Sequence, residues 1–148
     1  MKWNAEDLSQ RIFDLRLLDQ RQLESVWGEI GSREVGVDDF CSRLLNKALL
    51  TNFQLDKVLK GDREGFFYGN YRVLYIVGAG TFARVFRAVH VTTKKVVALK
   101  VLRRRYRTEP EQVDLFLREA HMGEKLVHPN IVRIFDVSDN LQAPYMVM

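Results

Sequence analysis

The chain has 148 residues, of which 47% are hydrophobic and 28% charged, with a formal net charge of +4. These proportions are typical of a globular protein with one or two small domains, and they exclude an intrinsically disordered chain. The single cysteine, Cys41, excludes an internal disulfide and is interpreted as a buried structural thiol rather than a nucleophile. Since no long apolar run or signal-peptide core occurs, we expect a cytoplasmic protein without a membrane segment.

The first 66 residues carry the apolar spacing of helices. Residues 5–30 predict two amphipathic helices, and a third is predicted to begin near Asp38. A fourth is predicted after Thr51, because Thr51 and Gln54 have the spacing of a capping box. We therefore predict a helical module over residues 1–66, with a protein partner as its candidate ligand.

A glycine-rich stretch follows, flanked by two runs rich in β-branched and aromatic residues, 71–77 and 85–91. It comprises Val77, Gly78, Ala79, Gly80, Thr81, Phe82, Ala83, Arg84 and Val85. The glycines are predicted to lie in a hairpin turn, where they would permit positive φ and let backbone amides approach phosphate oxygens. Glycine that serves turn geometry alone is the alternative interpretation.

Two charged residues follow the glycine stretch at positions that bear on function. Lys100 ends an apolar strand, Val97-Ala98-Leu99-Lys100. A helix is predicted from about Thr108 to Leu126. Glu119 lies at the margin of its predicted apolar face, which comprises Val113, Phe116, Leu117, Ala120 and Val127. A carboxylate there can point toward the sheet, although lone acidic residues on helices are usually solvated.

These features resemble, in order, the N-terminal lobe of the eukaryotic-like serine/threonine protein kinases of bacterial type. The resemblance covers roughly residues 70–148 and includes His128-Pro129-Asn130-Ile131-Val132 and Tyr145-Met146-Val147-Met148. One position departs from the family pattern, because Ala83 replaces the third glycine. The implied fold class is α+β: a helical module, then a kinase N-lobe over residues 67–148, truncated before the C-lobe. That lobe would contain a five-stranded antiparallel sheet and one long helix.

The resemblance also implies ATP as the ligand. The amides of residues 78–83 would cover the β- and γ-phosphates, Lys100 would hold the α- and β-phosphates, and Glu119 would keep Lys100 extended. The implied adenine pocket is lined by Val77, Val85, Ala98, Val132 and Met148.

No segment resembles H-R-D-x-x-x-x-N or D-F-G, which supply the catalytic base and the Mg²⁺ ligands in this family. The Mg²⁺ ligands and the contacts to a protein substrate would therefore belong to a C-lobe, and we expect the chain alone to be inactive. Two alternatives remain. One is a non-catalytic nucleotide-binding or regulatory fragment, and the other is an interaction protein acting through the N-terminal helices.

Basic residues are concentrated in the second half, where residues 67–148 carry 13 Lys and Arg against 7 Asp and Glu. The densest run, Arg103 to Arg107, could indicate nucleic-acid binding, but its place between a strand and a helix favours a solvated loop. His90, His121 and His128 share no spacing and no ligand cluster, so no metal site is predicted.

Overall fold

A computed structural model describes residues 3–140 and 142–148 of the chain. The chain divides into two compact units, Met1–Phe66 and Phe67–Met148. Within the described ranges, no helix is both long enough and apolar enough to cross a lipid bilayer.

Residues 3–66, the described part of the first unit, contain four helices, in agreement with the apolar spacing. They are α1 Ala5–Asp14, α2 Gln20–Ile30, α3 Val37–Asn46 and α4 Asn52–Leu59. Capping boxes begin two of them, with Asp19 and Gln22 at α2 and Thr51 and Gln54 at α4. The Thr51 hydroxyl accepts a hydrogen bond from the Gln54 N–H at 3.2 Å, which confirms the predicted start of α4.

Aromatic packing organises the core of the first unit. The rings of Trp27 and Phe40 stack with centroids 4.7 Å apart, and Trp27 Nε1 donates to the buried Ser9 Oγ at 3.0 Å. A buried indole N–H needs such a partner, because an unpaired polar group in a core is costly. Cys41 on α3 is half-buried and therefore less enclosed than the sequence interpretation proposed.

A single antiparallel sheet forms the framework of the second unit. Its strands are β1 Phe67–Tyr68, β2 Tyr71–Ala79, β3 Ala83–His90, β4 Val96–Leu102, β5 Asp136–Ser138 and β6 Tyr145–Val147. In space they follow the order β1-β2-β3-β4-β6-β5. The α+β class is confirmed, with one short strand, β1, added to the five expected. It pairs with β2 through the two-residue turn formed by Gly69 and Asn70.

Helix α5, Pro110–Glu124, connects β4 to β5 and packs against the sheet. Its proline lies in the first turn, where the missing N–H breaks no helical hydrogen bond. The shared core contains Ala83, Leu102, Val113, Phe116, Ala120 and Met146. The helix ends two residues before the predicted Leu126, and Val127, predicted to lie on the apolar face, is 69% exposed. The predicted apolar face therefore extends too far toward the C-terminus.

Candidate functional site

A pocket of about 440 Å³ lies in the second unit beside the β2–β3 hairpin, β4 and α5. Nine residues singled out from the sequence line it: Gly78, Ala79, Gly80, Thr81, Phe82, Ala83, Val85, Lys100 and Glu119. The hairpin, the strand and the helix thus bring together side chains that are up to 41 residues apart in the chain. Folding of the sheet with α5 creates this proximity.

The glycine stretch forms the predicted hairpin, with Gly78 opposite Val85 in the β2–β3 register. The Gly80 N–H donates to the Ala83 carbonyl oxygen at 2.8 Å and closes the turn. Positive φ is recorded at other glycines but at neither Gly78 nor Gly80, so the predicted use of left-handed backbone is wrong here. A Cβ added at Gly78 would meet no atom within 4 Å. Glycine at this position leaves open space over the backbone instead of relieving strain.

Lys100 and Glu119 reach the pocket from different elements. Lys100 is half-buried on β4, opposite Val85 on one side and Met146 on the other, whereas Glu119 is exposed on α5. Among residues 3–140 and 142–148, no ion pair joins these two side chains. Their pairing stays a prediction for a nucleotide-bound state.

Five predicted site residues lie outside the lining of this pocket: Val77, Arg84, Ala98, Val132 and Met148. Ala98 and Met148 are adjacent, since their backbones exchange hydrogen bonds of 3.1 and 2.8 Å. Val77 and Val132 are 62% and 71% exposed, and Arg84 is also exposed. The pocket therefore contains the residues predicted to contact phosphate, and the contacts to phosphate and to adenine both remain predictions.

Sequence reasoning missed other residues of the pocket and its rim. Leu102, Gln112, Leu115 and Phe116 complete the lining. Only Phe116 carried a signal, because it belongs to the apolar face predicted for the helix. No pattern distinguished Gln112 or Leu115, which face the pocket only because of the way α5 packs.

The basic run after β4 is not simply a solvated loop. Arg104 and Arg105 are exposed, as expected, but Arg103 and Arg107 are half-buried. Arg103 Nη1 donates to the Gly80 carbonyl oxygen at 3.2 Å, and Arg107 Nε donates to the Leu102 carbonyl oxygen at 2.8 Å. The fold brings backbone carbonyl oxygens close to these guanidinium groups and so gives them partners that the sequence does not reveal.

Comparison with known proteins agrees with this geometry. The family model of the protein kinase domain matches residues 71–148. The chain belongs to the protein kinase family. The resemblance to the N-terminal lobe of serine/threonine kinases is thereby confirmed.

Three curated kinases illustrate the relationship. The chain is 38% identical over 80 residues to the serine/threonine-protein kinase PrkC of Bacillus subtilis (strain 168), covering 54% of this chain and 12% of PrkC. It is 36% identical over 80 residues to CBL-interacting protein kinase 12 of Oryza sativa subsp. japonica, covering 54% of this chain and 15% of that kinase. It is 37% identical over 79 residues to a probable serine/threonine-protein kinase of Dictyostelium discoideum, covering 53% of this chain and 17% of that kinase.

Among solved structures, the PknI kinase domain of Mycobacterium tuberculosis is 25% identical, with a TM-score of 0.47. That match covers 57% of this chain and 34% of the PknI chain. For the three curated kinases, the match to this chain spans less than a fifth of each relative's length.

Proposed function

We propose that this chain supplies the ATP-binding half of a serine/threonine protein kinase. One observation carries the proposal: the glycine hairpin, Lys100 and Glu119 line a single pocket. Its volume of about 440 Å³ is within the range of roughly 300–1,000 Å³ found for small-molecule sites. Membership of the kinase family supports ATP as the ligand, because its members use ATP as the phosphoryl donor.

The residues of the pocket fit the polyphosphate part of the nucleotide. Backbone amides of residues 78–83, other than the Gly80 N–H that closes the turn, would donate to phosphate oxygens, since a Cβ at Gly78 would meet no atom within 4 Å. The Lys100 ammonium would hold the α- and β-phosphates, and Glu119 would direct that ammonium into the pocket. Val77, Val85, Ala98, Val132 and Met148 would contact the adenine ring.

The pocket does not by itself form a Mg²⁺ site. Its lining contains one carboxylate, Glu119, whose proposed partner is Lys100. Mg²⁺ requires near-octahedral oxygen coordination, so further ligands must come from elsewhere. The role of this chain would be to bind and orient ATP. Other parts of a kinase would contribute the contacts to the protein substrate and the base that activates the substrate hydroxyl.

Calorimetric titration of the 148-residue chain with ATP and with adenosine tests the proposal. Lys100→Met should weaken ATP binding by about tenfold or more, equivalent to roughly 1.4 kcal/mol, and leave adenosine binding unchanged. Glu119→Gln should weaken ATP binding by a smaller factor, because the ammonium remains but is less well directed.

Lys125→Met is the matched control, since Lys125 is an exposed residue just after α5. It should bind ATP as the unaltered chain does. A chain that binds no ATP, or a Lys100→Met variant with unaltered ATP affinity, would contradict the proposed function.

A further inference from the structure

The tip of the glycine hairpin is tied to the segment that follows β4. Three contacts make this connection. Arg103 Nη1 donates to the Gly80 carbonyl oxygen at 3.2 Å, and the Arg103 N–H donates to the Phe82 carbonyl oxygen at 2.8 Å. The rings of Phe82 and Tyr106 lie with centroids 4.8 Å apart. Backbone, side-chain and aromatic contacts thus all join the hairpin tip to residues 103–106.

The Arg103 side chain acts on one particular peptide group. In a trans peptide the carbonyl and the following N–H point in opposite directions, so the direction of the Gly80 carbonyl also sets that of the Thr81 N–H. Glycine has few steric restrictions, and the Gly80–Thr81 peptide could rotate at low cost without a tether. Rotation of this peptide would turn the Thr81 N–H away and point the Gly80 carbonyl oxygen in its place. A carbonyl oxygen repels phosphate, whereas an N–H can donate a hydrogen bond to it.

We propose that Arg103 is a positioning residue for phosphate binding, which holds the Gly80–Thr81 peptide in one orientation through its bond to the Gly80 carbonyl. The inference rests on the proposed function, because it assumes that the hairpin amides bind ATP. Arg103 itself need not touch the nucleotide. It acts through the backbone, so its effect should be confined to ligands that carry phosphate.

A charge effect must be distinguished from this tether, because a cation near the pocket attracts ATP over a distance. Arg105 provides the comparison. It is exposed in the 3-10 turn Arg104–Tyr106, two residues from Arg103, and its guanidinium lies over the Tyr106 ring at 5.3 Å. Arg105→Met removes the same charge as Arg103→Met but leaves the bond to Gly80 in place.

The experiment is calorimetric titration of the 148-residue chain and its variants with ATP and with adenosine. Arg103→Met should weaken ATP binding roughly 3- to 10-fold, within the range expected for the net contribution of one typical hydrogen bond, since this bond is exposed to water. Adenosine affinity should not change. Arg103→Lys should recover part of the loss, because an ammonium retains a donor, and Arg105→Met should stay within about twofold of the unaltered chain for both ligands.

Equal ATP affinity in the unaltered chain and in Arg103→Met would overturn the inference and leave the proposed function intact. An equal loss in Arg105→Met would also overturn it, since charge alone would then account for the effect. A parallel loss of adenosine affinity in Arg103→Met would show damage to the fold instead of phosphate positioning. Failure of the unaltered chain to bind ATP would overturn both the proposed function and this inference.

Discussion

Cys41 illustrates how burial at a single residue controls reactivity. Desolvation, reinforced by the negative charge of Asp38, raises the pKa of the Cys41 thiol. Because the thiolate is the nucleophile, we expect iodoacetamide at pH 8 to alkylate Cys41 at least about threefold more slowly than free glutathione. In urea the two rates should converge. Equal rates of Cys41 alkylation in native buffer and in urea would contradict the assigned cause.

The same shift sets the sign of a pH effect on stability. The folded-state pKa lies above the unfolded value of about 8.5, so the thiol's contribution to stability is complete below about pH 8.5. It is lost as the pH rises through the folded-state pKa. Tryptophan fluorescence reports on the first unit alone, because Trp3 and Trp27 are the two tryptophans of the chain. Cys41→Ala should reduce the alkaline loss of stability measured in this way.

Unlike Cys41, Lys100 and Glu119 are expected to affect nucleotide binding and to contribute little to the free energy of unfolding. Glu119 is exposed and Lys100 half-buried, and an ion pair in such a setting contributes at most about 1 kcal/mol. Its proposed value lies in aiming an ammonium at phosphate. The Glu119→Gln variant proposed above should therefore unfold at nearly the same urea concentration as the unaltered chain.

At the scale of secondary-structure elements, the β1–β2 hairpin depends on Gly69. This residue has φ +57° and opens a two-residue turn between Tyr68 and Tyr71. A Cβ at this position would overlap the Tyr145 hydroxyl, in addition to the strain of left-handed backbone. Gly69→Ala should destabilise the second unit by about 1–2 kcal/mol, and amide hydrogen exchange in β2 and β3 should measure the loss.

Gly28→Ala is the matched control for this prediction. Gly28 lies within α2, and a Cβ there would meet no atom within 4 Å. Because alanine favours a helix over glycine by about 0.8–1 kcal/mol, this variant should stabilise the first unit, as followed by tryptophan fluorescence.

An unchanged amide exchange rate of β2 and β3 in Gly69→Ala would contradict the prediction for Gly69. It would show that the hairpin tolerates a side chain and that the turn does not require glycine.

At the scale of the whole molecule, the chain contains a glycine hairpin, Lys100 and Glu119 but no segment resembling H-R-D-x-x-x-x-N or D-F-G. We expect ATP to raise the melting temperature of the chain, because a ligand that binds only the folded state stabilises it. We also expect no transfer of radiolabelled phosphate from ATP to the chain or to an added protein. Incorporation that Lys100→Ala abolishes would contradict the second expectation.

Local sequence patterns were sufficient for the helices, the hairpin and most of the sheet. The capping box of Thr51 and Gln54 acts between neighbouring residues, so it predicts the start of α4 without knowledge of the fold. The apolar periods of the helices and the β-branched runs around Gly78 and Gly80 are local in the same sense. The order of the glycine stretch, Lys100 and Glu119 was likewise enough to indicate the kinase family.

Tertiary structure alone determined the features that depend on distant partners. Strand β1 has two residues and no measurable periodicity, so it exists only because β2 pairs with it. The packing of helix α5 places Gln112 and Leu115 in the lining of the pocket. It also positions Glu119, which forms no ion pair with Lys100 in the part of the chain that the structure describes. Arg103 binds the Gly80 carbonyl, 23 residues away, because the β3–β4 register brings the end of β4 beside the hairpin. Such contacts arise from packing and register, which composition and local spacing do not encode.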